Sequence, residues 1–488
     1  MSGRDLEAFR SAHDPAYVVN DPLAVYQRDI PANAKRFIIT AAQNATPVHE
    51  HWWGALNTMA RVLEAEILVI PLRYKNPTSA WTGSQQNAEW WDPAVRDYLW
   101  NVRRPLNRNV TVLADLKIQP TAESPLTGAD AISHAASGII GHTKVQMKCI
   151  PTPSQRMAKI LTTTGACTVE NYTDTRAGRI GAFHHSLSAV LVELDGARFH
   201  LRHVHFDSKT RSCTDLDMRY SQGRYDKAPA PLALVMGDTH VDSIDPLVER
   251  ATFGPGGMVK TLKPLHLVWH DLLDSYSCNP HHRGNPFSVI AKRGAAADDV
   301  RAEVERAIAF IAKRTPQNAT SVVVGSNHND FLRRWIISGE WKNDPVNAEF
   351  YLETALAMVR GTRMSERGAE YPDPFVYWTR RANLPRTTLL DDDESFALGG
   401  VELGMHGNLG PNGARGSRAN LKRIGVRSII GHSHTPGIDE GCYQAGTSTR
   451  LRLEYNKGPS SWLNSHVLLH ADGKRQIINI IDGQWRLK

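Results

Sequence analysis

Five short motifs in the second half of this 488-residue chain carry imidazole, carboxylate and carboxamide side chains, each following an apolar run. Gly237-Asp238-Thr239-His240 follows Leu232 to Met236, His270-Asp271 follows Leu265 to Trp269, and Asn327-His328 comes shortly after Ser321 to Val324. Gly404-Met405-His406-Gly407 is the fourth, and Gly431-His432-Ser433-His434, directly after Ser428-Ile429-Ile430, is the fifth. Imidazole and carboxylate together suit borderline divalent ions such as manganese, iron or zinc. Two such ions about 3.5–4 Å apart clamp a phosphoryl centre and activate a water for in-line attack, an arrangement that needs a shared carboxylate. One Asp-x-His or Gly-His-x-His arises readily by chance as a turn or a core histidine. Five in series, each strand-anchored, point to one dimetal site.

Those side chains need a scaffold that brings them to one place. The apolar runs read as strands, and ligands at the carboxyl ends of strands converge on one edge of a sheet, where α/β proteins place their sites. Between the motifs, Asp299 to Lys313 and Asn347 to Arg360 read as helices, and Val467 to Ile481 as a hairpin turning at Asp472-Gly473. The first half opens with a polar arm to about Asn33. Arg36 to Ala42 and Glu66 to Leu72 then read as strands flanking a helix with Trp52, Leu56, Met59 and Leu63 at helical spacing. Strand, helix, strand over so few residues implies a parallel, right-handed crossover. Val110 to Leu116 offers a further strand, and Ser188 to Phe206 a hairpin across Asp195-Gly196. The polar, turn-rich stretch from Ser208 to Ala230 marks a boundary near residue 230. The reading is an α/β protein with an N-terminal α/β domain over 1–230 and a catalytic domain over 231–488.

Composition narrows the class. The chain is 41% hydrophobic and 22% charged, an ordinary globular balance. No apolar run reaches the roughly 20 residues of a membrane span, and Met1 to Asp14 lacks the apolar core of a signal peptide, so a cytoplasmic protein without a membrane partner is expected. Five scattered cysteines form no C-x-x-C pair, which argues against a disulfide framework or a cysteine zinc site. A net charge of +7 favours a polyanionic partner. Walker-type and G-x-G-x-x-G loops are absent, which leaves nucleotide-driven work without a motif.

In type and order, the five motifs resemble those of the calcineurin-like metallophosphoesterase superfamily over roughly Leu232 to His470, in the branch of DNA-repair exonucleases. Within that branch the chain is similar to the first-step-transfer DNases of T5-like bacteriophages, including Arg36 to Asn76 and Lys159 to His185 in the first half. The resemblance implies a four-layer α/β/β/α sandwich with a separate N-terminal domain for DNA binding, assembly or regulation. It implies that Asp238, His240, Asp271 and His434 hold one metal and Asp271, Asn327, His406 and His432 the other, Asp271 being the bridge. His328, after the motif asparagine, then assists catalysis without being a ligand. The cofactors implied are two divalent ions, Mn2+ first, with Mg2+, Fe2+ or Zn2+ as alternatives. DNA is the implied substrate and partner, the host cytoplasm the implied location if the gene is a phage's, and a homo-oligomer is compatible with it. Two departures stand out: His270 occupies the superfamily's usual glycine position, and Gly325-Ser326-Asn327-His328-Asn329 carries an extra serine and an asparagine where an acid is common.

The same metal core serves monoesters and diesters, so a phosphatase or small-molecule phosphodiesterase is the alternative enzyme, and a non-catalytic DNA-binding protein on this scaffold the alternative of another class. Arg415 to Arg423 reads equally as a DNA-backbone contact or a solvated loop. Arg333-Arg334-Trp335 reads as a helix with its tryptophan inward. His281-His282-Arg283 reads first as a polar loop and second as a substrate contact.

Overall fold

The computed structural model describes residues 18–19, 25–72, 89–153, 156–282, 285–366, 368–392, 394–454 and 456–487. Much of the N-terminal arm, the end of the segment to Asn76, and Arg283 lie outside the described residues.

The unit expected at the start is present. Strands Arg36–Gln43 and Glu66–Leu72 pair in parallel, with Phe37 opposite Glu66, and helix Glu50–Leu63 connects them. The helix forms because Trp52, Leu56 and Met59 share a buried face, while the His49 imidazole accepts a hydrogen bond from the Trp52 N–H at its first turn. The hairpin Ser188–Asp195 and Arg198–Asp207 pairs beside Arg36–Gln43, and these strands belong to one seven-stranded sheet.

A six-stranded sheet carries the first three motifs. Its order is Thr387–Leu389, Thr320–Val323, His266–Trp269, Ala233–Val235, Ser465–Leu469, Arg475–Asn479. The first four strands run parallel and the last two form the expected hairpin, in which Ser465–Leu469 is antiparallel to Ala233–Val235 and Arg475–Asn479 turns back. One face packs on helices that include Pro246–Phe253, Val300–Arg314, Asn327–Ile337 and Ala348–Gly361. Leu234, Leu267 and Trp269 point that way, while Ala233, Val235 and Val268 point to the other core, as strand alternation requires.

That second core lies against a ten-stranded sheet to which both halves of the chain contribute strands. Val401–Glu402 and Ser428–Ile430, which lead to the last two motifs, sit in this sheet with Gly437–Asp439 and Cys442–Gln444. Gly437–Asp439 then pairs with Gln146–Ile150, Ile438 opposite Met147, and the sheet continues through Lys159–Thr163, Ser137–Ile140, Val110–Leu113 and Arg103–Asn107. The boundary expected near residue 230 therefore does not coincide with a break in hydrogen bonding. One apolar core runs from Val401, Ile429 and Tyr443 through Met147 and Ile160 to Ile39 and Val190 of the seven-stranded sheet. The chain is a mixed α/β protein in which two smaller sheets pack on one long sheet. Among the described residues no helix is long and apolar enough to cross a membrane, and the five cysteines are buried and form no disulfide.

Candidate metal centre

Three of the five motifs leave their strands through left-handed backbone. His240, Asp271, His432 and His434 have φ of 41°, 42°, 76° and 58°, the left-handed region that costs a residue with a β-carbon about 1–2 kcal/mol. Backbone strain of this kind persists where the surroundings fix it, and here it aims side chains over the sheet edges. The loops fix one another: the Thr239 N–H donates to the His270 carbonyl at 2.9 Å and the His240 N–H to the Asp271 carbonyl at 2.7 Å. The His432 N–H donates to Asp238 Oδ1 at 3.0 Å. Gly431 makes this closeness possible, since a β-carbon there would stand 2.3 Å from Asp238 Oδ1 and 3.0 Å from the His270 side chain.

All seven expected ligands and His328 meet at this place. His240 Nε2 lies 3.1 Å from His434 Nε2 and 3.7 Å from Asp271 Oδ2, while His434 Nε2 lies 3.3 Å from Asp238 Oδ2. On the other side of Asp271, His406 Nε2 is 3.1 Å from both Asp271 Oδ2 and Asn327 Oδ1, and His432 Nδ1 is 3.0 Å from Asn327 Oδ1. In the groups His240/Asp271/His434 and Asp271/His406/His432, the possible ligand atoms lie within 4.8 Å of one another, with Asp271 common to both. The donor set fits cations. Asp238 Oδ2 and Asp271 Oδ1 are buried without a hydrogen bond, and the facing imidazole nitrogens of His240 and His434 can share at most one proton.

The electrostatics show how tightly these groups depend on each other. Burial, reinforced by the charge of Asp271, pushes the Asp238 carboxyl up to about 7. Burial acts the same way on Asp271, but the charges of His406, His328 and His240 override it and hold that carboxyl well below its usual range. Burial would lower His240, yet Asp274, Asp271 and Asp238 raise it to about 9. His432, with burial and then His406 acting on it, falls to about 4.

One functional residue escaped the sequence reading. Asp274 is nine-tenths buried and joins His240 and His328 as a third group able to hold a cation. Its Oδ1 lies 3.3 Å from His240 Nδ1, its Oδ2 accepts from Ser243 Oγ at 2.8 Å, and its carbonyl accepts from His328 Nδ1 at 2.6 Å. The signal was there: a second carboxylate in His270-Asp271-Leu272-Leu273-Asp274, three residues after the first. A carboxylate at the far nitrogen of a ligating imidazole fixes its tautomer and orientation. Asp274→Asn is therefore expected to weaken Mn2+ binding by about 10–100-fold, measured by calorimetric titration. Unchanged affinity would remove Asp274 from this role.

The other candidates separate clearly. In the basic segment, the Arg418 guanidinium is committed to the Thr435 carbonyl and the Gln444 side chain, and Lys422 to Asp439 and Glu440. Arg415 is exposed and its charge is felt at His432. Trp335 is buried, with Arg333 and Arg334 both paired to Asp330. His281 lies against Phe331, itself beside His328, at the edge of the site. His203 is held by Thr162 and Thr163, and His185 by Tyr172 and Thr168, both within the first half's packing.

No protein-family model matches the chain. Among curated proteins, protein A1 of Escherichia phage T5 is 30% identical over 467 residues, an alignment covering 92% of this chain and 83% of that protein. An alignment over 92% of the chain extends well beyond the metal centre. The chain belongs to the family of the phage T5 protein A1.

Proposed function

We propose that the chain is a two-metal deoxyribonuclease of the calcineurin-like metallophosphoesterase type, which hydrolyses DNA phosphodiesters and degrades host DNA in the host cytoplasm during phage infection. Asp238, His240, Asp271 and His434 would hold one ion, and Asp271, Asn327, His406 and His432 the other, with Mn2+ the first candidate. The reading rests above all on the convergence of these side chains from five separate strand ends around one buried, shared carboxylate. Membership of a phage family, the net charge of +7 and the exposed Arg415, whose charge reaches His432, favour DNA as the polyanion.

When bound, divalent ions would neutralise the phosphoryl oxygens and lower the pKa of the attacking water. The chain's own residues do the rest. Asp271 lies between the two groups and sets their spacing. Asn327 begins the helix Asn327–Ile337, whose N-terminal end favours an anion, and its amide oxygen faces His406 and His432. His328 commits its Nδ1–H to the Asp274 carbonyl, so the imidazolium form would hold on Nε2 the proton that it hands to the departing 3′ oxygen, returning to the neutral ring. Burial lowers the pKa of His328, with Asp271 and Asp274 acting against it, and a bound phosphodiester would add to their effect. The first half would contact DNA beyond the scissile bond.

The test is to incubate the full chain with linear and circular duplex DNA, single-stranded DNA and p-nitrophenyl phosphate, in Mn2+ or EDTA. The reading expects Mn2+-dependent loss of DNA that fails in His328→Ala. Turnover of the monoester with DNA untouched would make the protein a phosphatase instead. Metal binding should also be visible without catalysis: at 100 times the dissociation constant, an ion bound only by the folded chain adds about 2.7 kcal/mol of stability. The thermal midpoint should therefore rise with Mn2+ and fall back with EDTA, and a midpoint indifferent to both would contradict the site.

A further inference from the structure

His270 follows strand His266–Trp269 and is fully buried, with its ring tilted 34° to that of His406 and 5.4 Å away. The two Nδ1 atoms are 3.3 Å apart. We infer that His270 is a positioning residue, which holds the His406 ring through this Nδ1–Nδ1 contact and so sets the affinity of the metal position that His406 serves. This inference rests on the dimetal reading above.

The reasoning starts from where protons can sit. His406 Nε2 faces Asp271 Oδ2 and Asn327 Oδ1, each at 3.1 Å. A nitrogen that offers its lone pair to a cation carries no proton, so the neutral ring keeps its proton on Nδ1. That N–H then points at His270 Nδ1, which must accept, leaving the His270 proton on Nε2. His270 Nε2 is buried and has no hydrogen-bond partner. An unpaired buried donor is destabilising, a penalty that an apolar side chain in the same space would avoid. The contact with His406 is what the imidazole gains in exchange. Ligating histidines usually hand their second N–H to a carboxylate or a carbonyl, and beside His240 Nδ1 the Asp274 carboxylate stands at 3.3 Å. For His406 an imidazole takes that place.

The neighbours hold His270 still. Its carbonyl accepts from the Thr239 N–H at 2.9 Å, and Trp269 before it pairs with Val323 in the sheet. On the open side stands Gly431, where a β-carbon would come within 3.0 Å of both Cβ and Cγ of His270. The Gly431 backbone therefore packs closely against the His270 side chain.

The experiment compares the full chain with His270→Leu and His270→Asn. Asparagine can place Oδ1 near the position of the imidazole Nδ1 and accept the same proton, whereas leucine fills the space without an acceptor. Mn2+ is titrated by calorimetry, and the spin-coupled signal of a manganese pair is followed by electron paramagnetic resonance. Thermal unfolding in EDTA confirms that each variant folds. The inference expects two ions in the unmodified chain. In His270→Leu one ion should bind about 10–100-fold more weakly, with the coupled signal lost at limiting Mn2+, and His270→Asn should recover most of the affinity. Full affinity in His270→Leu overturns the inference and leaves the dimetal reading standing. Equal weakening in both folded variants also overturns it, because packing rather than proton acceptance would then be the role. An unmodified chain that takes up no Mn2+ overturns the dimetal reading and this inference with it.

Discussion

Asp271→Asn is expected to abolish the manganese pair and to reduce DNA hydrolysis by about a thousandfold or more. The substitution keeps the side-chain shape and removes one negative charge, but that charge is the one facing His240 and His406 together. A clamp of two ions supplies several kcal/mol of transition-state stabilisation, and each 1.36 kcal/mol lost is a factor of ten in rate. Single-turnover cleavage of a labelled duplex in Mn2+ measures it. A variant within tenfold of the unmodified rate would show that Asp271 does not bridge.

The largest effect on stability should come from the first half. Arg202 is 4% exposed and makes three hydrogen bonds to carboxylates: Nε and Nη2 to Asp215 at 2.6 and 2.8 Å, and Nη1 to Glu193 at 2.7 Å. Asp215 also accepts from Gln476 Nε2 at 3.0 Å, and Glu193 from the Leu487 N–H at 3.2 Å. The cluster thus ties the seven-stranded sheet to the C-terminal end of the chain. Arg202→Met leaves the buried Asp215 without its cation and Glu193 with only Arg36, 3.3 Å away, and breaking a buried pair in this way costs about 3–5 kcal/mol. Urea unfolding in EDTA should show that loss. A change below about 1 kcal/mol would mean that the carboxylates find other partners or take up protons.

The candidate centre was legible because its residues lie close in sequence to the strands that present them. An apolar run of four or five residues followed by Asp-x-His or Gly-His-x-His specifies both the element and the side chains at its end, and Asp238, His240, His432 and His434 needed nothing more. Asp274 was missed because its role is to touch His240 and His328, which a motif does not record. His270 was legible only as a departure, since its contact with His406 joins loops from two different sheets. The long sheet was hidden for a related reason. Ser137–Ile140 is short and contains glycine, Gln146–Ile150 carries polar residues in alternation, and their place is set by Gly437–Asp439 from the other half. The turn-rich stretch before residue 230 reads as a boundary because local polarity is all that sequence offers there. The hydrogen bonds that cross it are long-range. In the same way Arg418 and Lys422 look free as a basic run, and only the fold shows their partners.

Diffraction from crystals grown with Mn2+, recorded at the manganese absorption edge, tests the central claim most directly. Two anomalous peaks about 4 Å apart or closer are expected, one among Asp238, His240, Asp271 and His434 and the other among Asp271, Asn327, His406 and His432. A single peak, or peaks away from Asp271, would contradict the dimetal centre and the mechanism built on it.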